Sequence, residues 1–90
     1  MRGYLLDPIS GRKMELLTNQ PGVQLYTANF LKDDGILLKG GVRKKPQSAV
    51  CLETQCMPDS MNHREDGFPS PYLSPEEKYD YTTIYRFRTE

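Results

Sequence analysis

The ninety residues contain only two cysteines, one histidine, no excess of charge of either sign and no long apolar run. Each shortage removes a class of protein. A structural zinc site takes a full tetrahedral set of sulfur and nitrogen ligands, which Cys51, Cys56 and His63 cannot supply, so neither metal nor cofactor is expected. In an extended strand the five steps from Cys51 to Cys56, at about 3.3 Å each, lie far beyond disulfide reach. Two free thiols and the lack of an Asn-x-Ser/Thr acceptor fit a reducing cytosol. Twelve basic residues balance twelve acidic ones, so no field draws the chain to nucleic acid or to an anionic membrane. No run approaches the roughly 20 apolar residues that span a bilayer, and MRGYLLDPIS lacks the apolar core of a signal peptide. A soluble, cytoplasmic chain is expected, with its function in a site rather than in its net charge. Its length allows one domain, residues 1–90, that buries on the order of two-thirds of its surface.

What is present is strand pattern. Gly3 to Asp7 and Arg12 to Thr18 read as two strands joined by a Pro8-Ile9-Ser10-Gly11 turn. Pro21-Gly22 punctuates the chain, and Val23 to Leu31 follows as a strand with Gln24, Tyr26, Ala28 and Phe30 on one face. Lys32 to Lys45, with Asp-Asp-Gly, Gly-Gly and the basic Arg43-Lys44-Lys45, reads as a solvated loop holding at most a brief strand. Ser48 to Gln55 is a strand, residues 58–75 carry four prolines and no periodicity, and Lys78 to Arg88 alternates Tyr79, Tyr81, Thr83, Tyr85 and Phe87 with polar residues. With no amphipathic helix, the class is all-β with about five or six strands.

The stretch AVCLETQ raises a chemical question. Val50, Leu52 and Thr54 share one face, and Ala49, Cys51, Glu53 and Gln55 the other. If both faces are covered, Glu53 is either a core carboxylate paired with an arginine or lysine, or a desolvated base with its pKa raised. The pattern leaves both readings open.

The blocks SGRKMELLTNQPGVQLYTANFL, LETQ with the Pro-Asp that follows it, and FPSPYLSPEEKYDYTTIYRF occur in one order along almost the whole chain. On them the chain resembles the C-terminal end of the aldose 1-epimerase (galactose mutarotase) family. The resemblance implies antiparallel strands forming the C-terminal part of a large β-sandwich. It also implies an isomerase that interconverts the α and β anomers of hexoses such as glucose and galactose. Glu53 then matches the general base that takes the proton of the anomeric hydroxyl, and Gln24 matches a glutamine that hydrogen-bonds sugar hydroxyls. The family's general-acid histidine, a second histidine, an arginine and an aspartate lie upstream of the matched region. His63 matches none of these and reads as a surface loop residue. The expectation is therefore a truncated chain, inactive by itself. Two local departures touch the pocket rim: Met57 stands where the family has a tryptophan, and the 62–68 loop carries Arg64, Glu65 and Asp66. Two other readings stay open, a noncatalytic remnant that binds carbohydrate or pairs with a protein through an open sheet edge, and an unrelated small β interaction module.

Overall fold

A computed structural model describes residues 1–90, and it is all-β apart from three single-turn 3-10 segments at Lys39–Gly41, Ser60–Asn62 and Arg64–Asp66. The strands are β1 (Arg2–Leu6), β2 (Arg12–Thr18), β3 (Gly22–Tyr26), β4 (Cys51–Gln55) and β5 (Thr83–Thr89). They form a three-stranded sheet in the order β1-β2-β5 and a two-stranded sheet of β3 and β4. The chain divides into two compact units, one of Met1–Val23 with Thr54–Glu90 and one of Gln24–Glu53. Both strands of the smaller sheet cross that division.

In the first unit the expected hairpin forms, and its turn chemistry is visible. Asp7 accepts the Ile9 amide at 3.1 Å and the Ser10 hydroxyl at 2.6 Å, a side-chain turn that holds its carboxyl below the usual range, chiefly through the serine. Gly11, at φ 74°, then donates to the Asp7 carbonyl at 2.8 Å. A Cβ at this glycine would run into the Glu90 carbonyl, so both conformation and space select glycine.

Antiparallel registers pair Tyr4 with Glu15 and Glu15 with Arg86 on one side of the sheet, and Leu5 with Met14 and Met14 with Phe87 on the other. Because facing residues share a side, one face gathers Arg2, Lys13, Glu15, Arg86 and Arg88 among Tyr4, Leu6, Leu17 and Ile84, while the other gathers Leu5, Met14, Leu16, Tyr85 and Phe87 with Arg12 and three threonines at its ends. Leu16 is buried at the centre of the apolar face, whereas Phe87 at its edge is 74% exposed. On the charged face Glu15, 6% exposed, lies 3.4 Å from Arg86, 3.7 Å from Arg88 and 3.8 Å from Lys13.

The closing strand begins at Thr83 rather than Lys78. Its partner β2 ends at Thr18, and Pro21 has no amide to extend the ladder. The Asn19 side chain takes over for one step, donating to the Asp80 carbonyl at 3.3 Å and accepting the Thr82 amide at 2.9 Å. Strand β5 is then tied in through hydroxyls, with Thr83 3.2 Å from Thr18 and 2.7 Å from Thr54.

In the second unit the strand expected over residues 23–31 stops at Tyr26, because Ala28 takes a left-handed φ of 59° and turns the chain. The buried Ala28 carbonyl accepts amides from both Leu31 and Gln47. The basic run is paired rather than simply solvated: Arg43 meets Asp33 at 2.8 Å and Lys44 meets Asp34 at 2.9 Å, beside an isolated bridge of Leu37 with Arg43. Cys51 and Cys56 are both free thiols. No helix is long and apolar enough to cross a membrane.

Candidate functional site

Glu53 is the middle residue of β4, and Gln24 the middle residue of β3. Strand character at both follows from local sequence: Val23, Tyr26, Cys51 and Thr54 favour extended backbone, and Pro21-Gly22 and Pro58 bound the segments. Gly22, at the start of β3, packs against the Gln55 carbonyl at the end of β4; a Cβ there would approach that oxygen to 3.3 Å. Gln24 and Glu53 therefore lie on neighbouring strands of the two-stranded sheet.

The burial expected of Glu53 is not found. Both Glu53 and Gln24 are exposed, because β4 has a strand neighbour on one side only. The buried, cation-paired strand carboxylate is Glu15, which pattern reading passed over even though its setting, Met14-Glu15-Leu16, alternates just as Leu52-Glu53-Thr54 does. Gln24 spends one amide proton on the neighbouring Leu25 carbonyl at 3.3 Å and keeps its oxygen and second proton for another partner. At the end of β3 the Tyr26 ring stacks on Phe30, with centroids 6.4 Å apart.

His63 stands in the irregular stretch after β4, and both of its nitrogens are engaged. Nδ1 is 2.7 Å from Asp66 and Nε2 is 3.1 Å from Asp59, while Phe68 lies against the ring at 5.3 Å. The two carboxylates, Asp66 foremost, raise its pKa. This clamps the two 3-10 turns together and leaves neither N–H free to donate elsewhere. No group of three or more His, Cys, Asp or Glu side chains is arranged to hold a metal ion.

Comparison with known proteins adds a lineage to this geometry. The profile of the Aldose 1-epimerase family matches residues 3–86. Among curated proteins the chain is 49% identical over 79 residues to the galactose mutarotases of Bos taurus and Homo sapiens, and 33% identical over 78 residues to the aldose 1-epimerase of Escherichia coli. Each alignment covers 87% of this chain and 22% of the relative, so the chain spans about a fifth of the length of the curated relatives it matches. No solved structure matches.

Proposed function

The chain belongs to the aldose 1-epimerase family, and from that premise we propose that Glu53 and Gln24 are the proton-accepting and hydroxyl-binding parts of a hexose mutarotase site. The observation that carries this reading is that an exposed acid and an exposed amide stand at the middle of the two neighbouring strands β4 and β3. In the proposed chemistry the Glu53 carboxylate takes the proton of the anomeric hydroxyl while an acid protonates the ring oxygen. The bond from the anomeric carbon to that oxygen breaks, and the aldehyde forms. Rotation about the adjacent carbon–carbon bond and reclosure on the other face give the second anomer, with both protons returned. Gln24, able to donate and accept at once, suits a neighbouring hydroxyl of glucose or galactose. The setting would be cytoplasmic, as two free thiols suggest.

These ninety residues supply the base but no available acid. Each positioned acid or base is worth about 10²- to 10⁴-fold, and the one histidine has both nitrogens committed to carboxylates. An exposed Glu53 also lacks the walls that would exclude water and orient the sugar. Polarimetry on freshly dissolved α-D-glucose or α-D-galactose should therefore show no rate above buffer for the chain alone. A catalysed rate abolished by Glu53→Gln would support the base and overturn the inactivity; a catalysed rate unchanged by that substitution would overturn the assignment of Glu53.

A second reading, a noncatalytic module that pairs with a protein, draws on the exposed Phe87, Tyr85 and Leu5 at the rim of the apolar face and on the open outer edges of β1 and β5. Light scattering separates it, since a strictly monomeric chain over a wide concentration range would remove self-association from that reading.

A further inference from the structure

The segment that peels away from β2 after Asn19 opens a cavity of about 280 Å³ whose walls include Tyr72, Tyr79 and Tyr81 together with Glu77, Lys78 and Asp80. All of these belong to the first compact unit, and none belongs to the Glu53 and Gln24 pair. We infer that this cavity is a separate binding subsite for a neutral polyhydroxylated ring, such as a single sugar unit. The inference does not depend on the role proposed for Glu53.

Aromatic surface is the first support. Tyr79 and Tyr81 lie 4.7 Å apart at 59° and stay exposed, so they offer flat faces at an angle rather than a closed stack. Tyr72 is braced from another side by the Arg64 guanidinium, 3.8 Å from its ring centre.

The charges decide the ligand class. Glu77 is already engaged by the Ser74 amide at 3.2 Å and hydroxyl at 2.8 Å, and Asp80 is offset by Lys78, so neither a cation nor an anion is favoured at this wall. A purely apolar aromatic would strip water from those polar groups without replacing its hydrogen bonds, which is unfavourable. A ring bearing hydroxyls lays its C–H face on the tyrosines and meets the carboxylates and the ammonium with groups that both donate and accept.

The third support lies behind Tyr79. Gln20, 7% exposed, donates from Nε2 to the Tyr79 hydroxyl at 2.9 Å, and its Oε1 has no partner. Accepting that bond leaves the phenol proton free to be given to a ligand oxygen. The Asn19 side chain, bonded to the Asp80 carbonyl and the Thr82 amide, holds this wall in position before any ligand arrives.

The test is a ¹H–¹⁵N titration of the 90-residue chain with methyl β-D-galactopyranoside, which cannot change anomer, and in parallel with p-cresol. The expected result is saturable shifts at residues 72 and 77–81 with a Kd on the order of 10 mM. They should weaken at least tenfold in Tyr81→Ala and in the milder Asp80→Asn, and persist in Glu53→Gln. Should Tyr81→Ala fail to fold, Asp80→Asn carries the test. Shifts confined to β3 and β4 would overturn the subsite while supporting the proposal for Glu53. No saturation at about 100 mM glycoside, or binding of p-cresol in its place, would also overturn the subsite.

Discussion

Replacing Glu15 by glutamine keeps the shape of the side chain and removes its charge from between three cations. Lys13 keeps another partner in Glu90 at 2.7 Å, so the loss falls on Arg86 and Arg88. Their side chains are about half exposed and relax into water, which limits each lost pair to roughly 0.2–1 kcal/mol rather than the ~3–5 kcal/mol of a fully buried break. The glutamine must also place its amide N–H₂ among guanidinium donors in a site that is 6% exposed, adding a penalty of comparable size. The sum is about 1–2 kcal/mol, and at roughly 4–8 °C per kcal/mol for a chain of this size Tm should fall by about 5–15 °C. Circular dichroism melts of the parent, Glu15→Gln and Glu53→Gln at low and at about 1 M salt measure it. The Glu15 difference should shrink in salt, and Glu53→Gln, on an exposed position, should stay within about 0.5 kcal/mol of the parent. Equal losses for the two glutamates, or none at Glu15, would refute the claim that neighbouring strands rather than local pattern decide which carboxylate matters.

Two further outcomes follow from local geometry. Gly11→Ala should destabilise by more than the ~1 kcal/mol of a left-handed alanine alone, because the new methyl also meets the Glu90 carbonyl, and a urea midpoint within error of the parent would contradict this. The pKa of His63 is raised by Asp66 and Asp59, so its contribution is fully present below the unfolded value of about 6.5 and is lost as pH rises through the higher folded value. An NMR titration of the imidazole should show the raised midpoint falling back toward 6.5 in Asp66→Asn, and an unmoved midpoint would count against the clamp.

By itself the sequence determined the β class, the first hairpin and the strands that carry Gln24 and Glu53. Those depend on neighbours close in the chain: Asp7, Ser10 and Gly11 build their own turn, and alternation from Arg12 to Thr18 or from Cys51 to Gln55 needs no distant contact. Family membership was legible too, in the order of the blocks from PGVQ to YDYTT. Tertiary structure alone decided which of two similarly patterned glutamates is buried. Strand β2 has a partner on each side and cations from β5 closing over Glu15, whereas β4 pairs with β3 alone and leaves Glu53 in water. It also decided where β5 begins, since Tyr79 and Tyr81 alternate as a strand should, but a ladder needs a facing backbone and β2 ends at Thr18. Asn19 and Gln20, unremarkable as letters, hold the displaced segment in place because their side-chain amides hydrogen-bond to groups about sixty residues further along the chain.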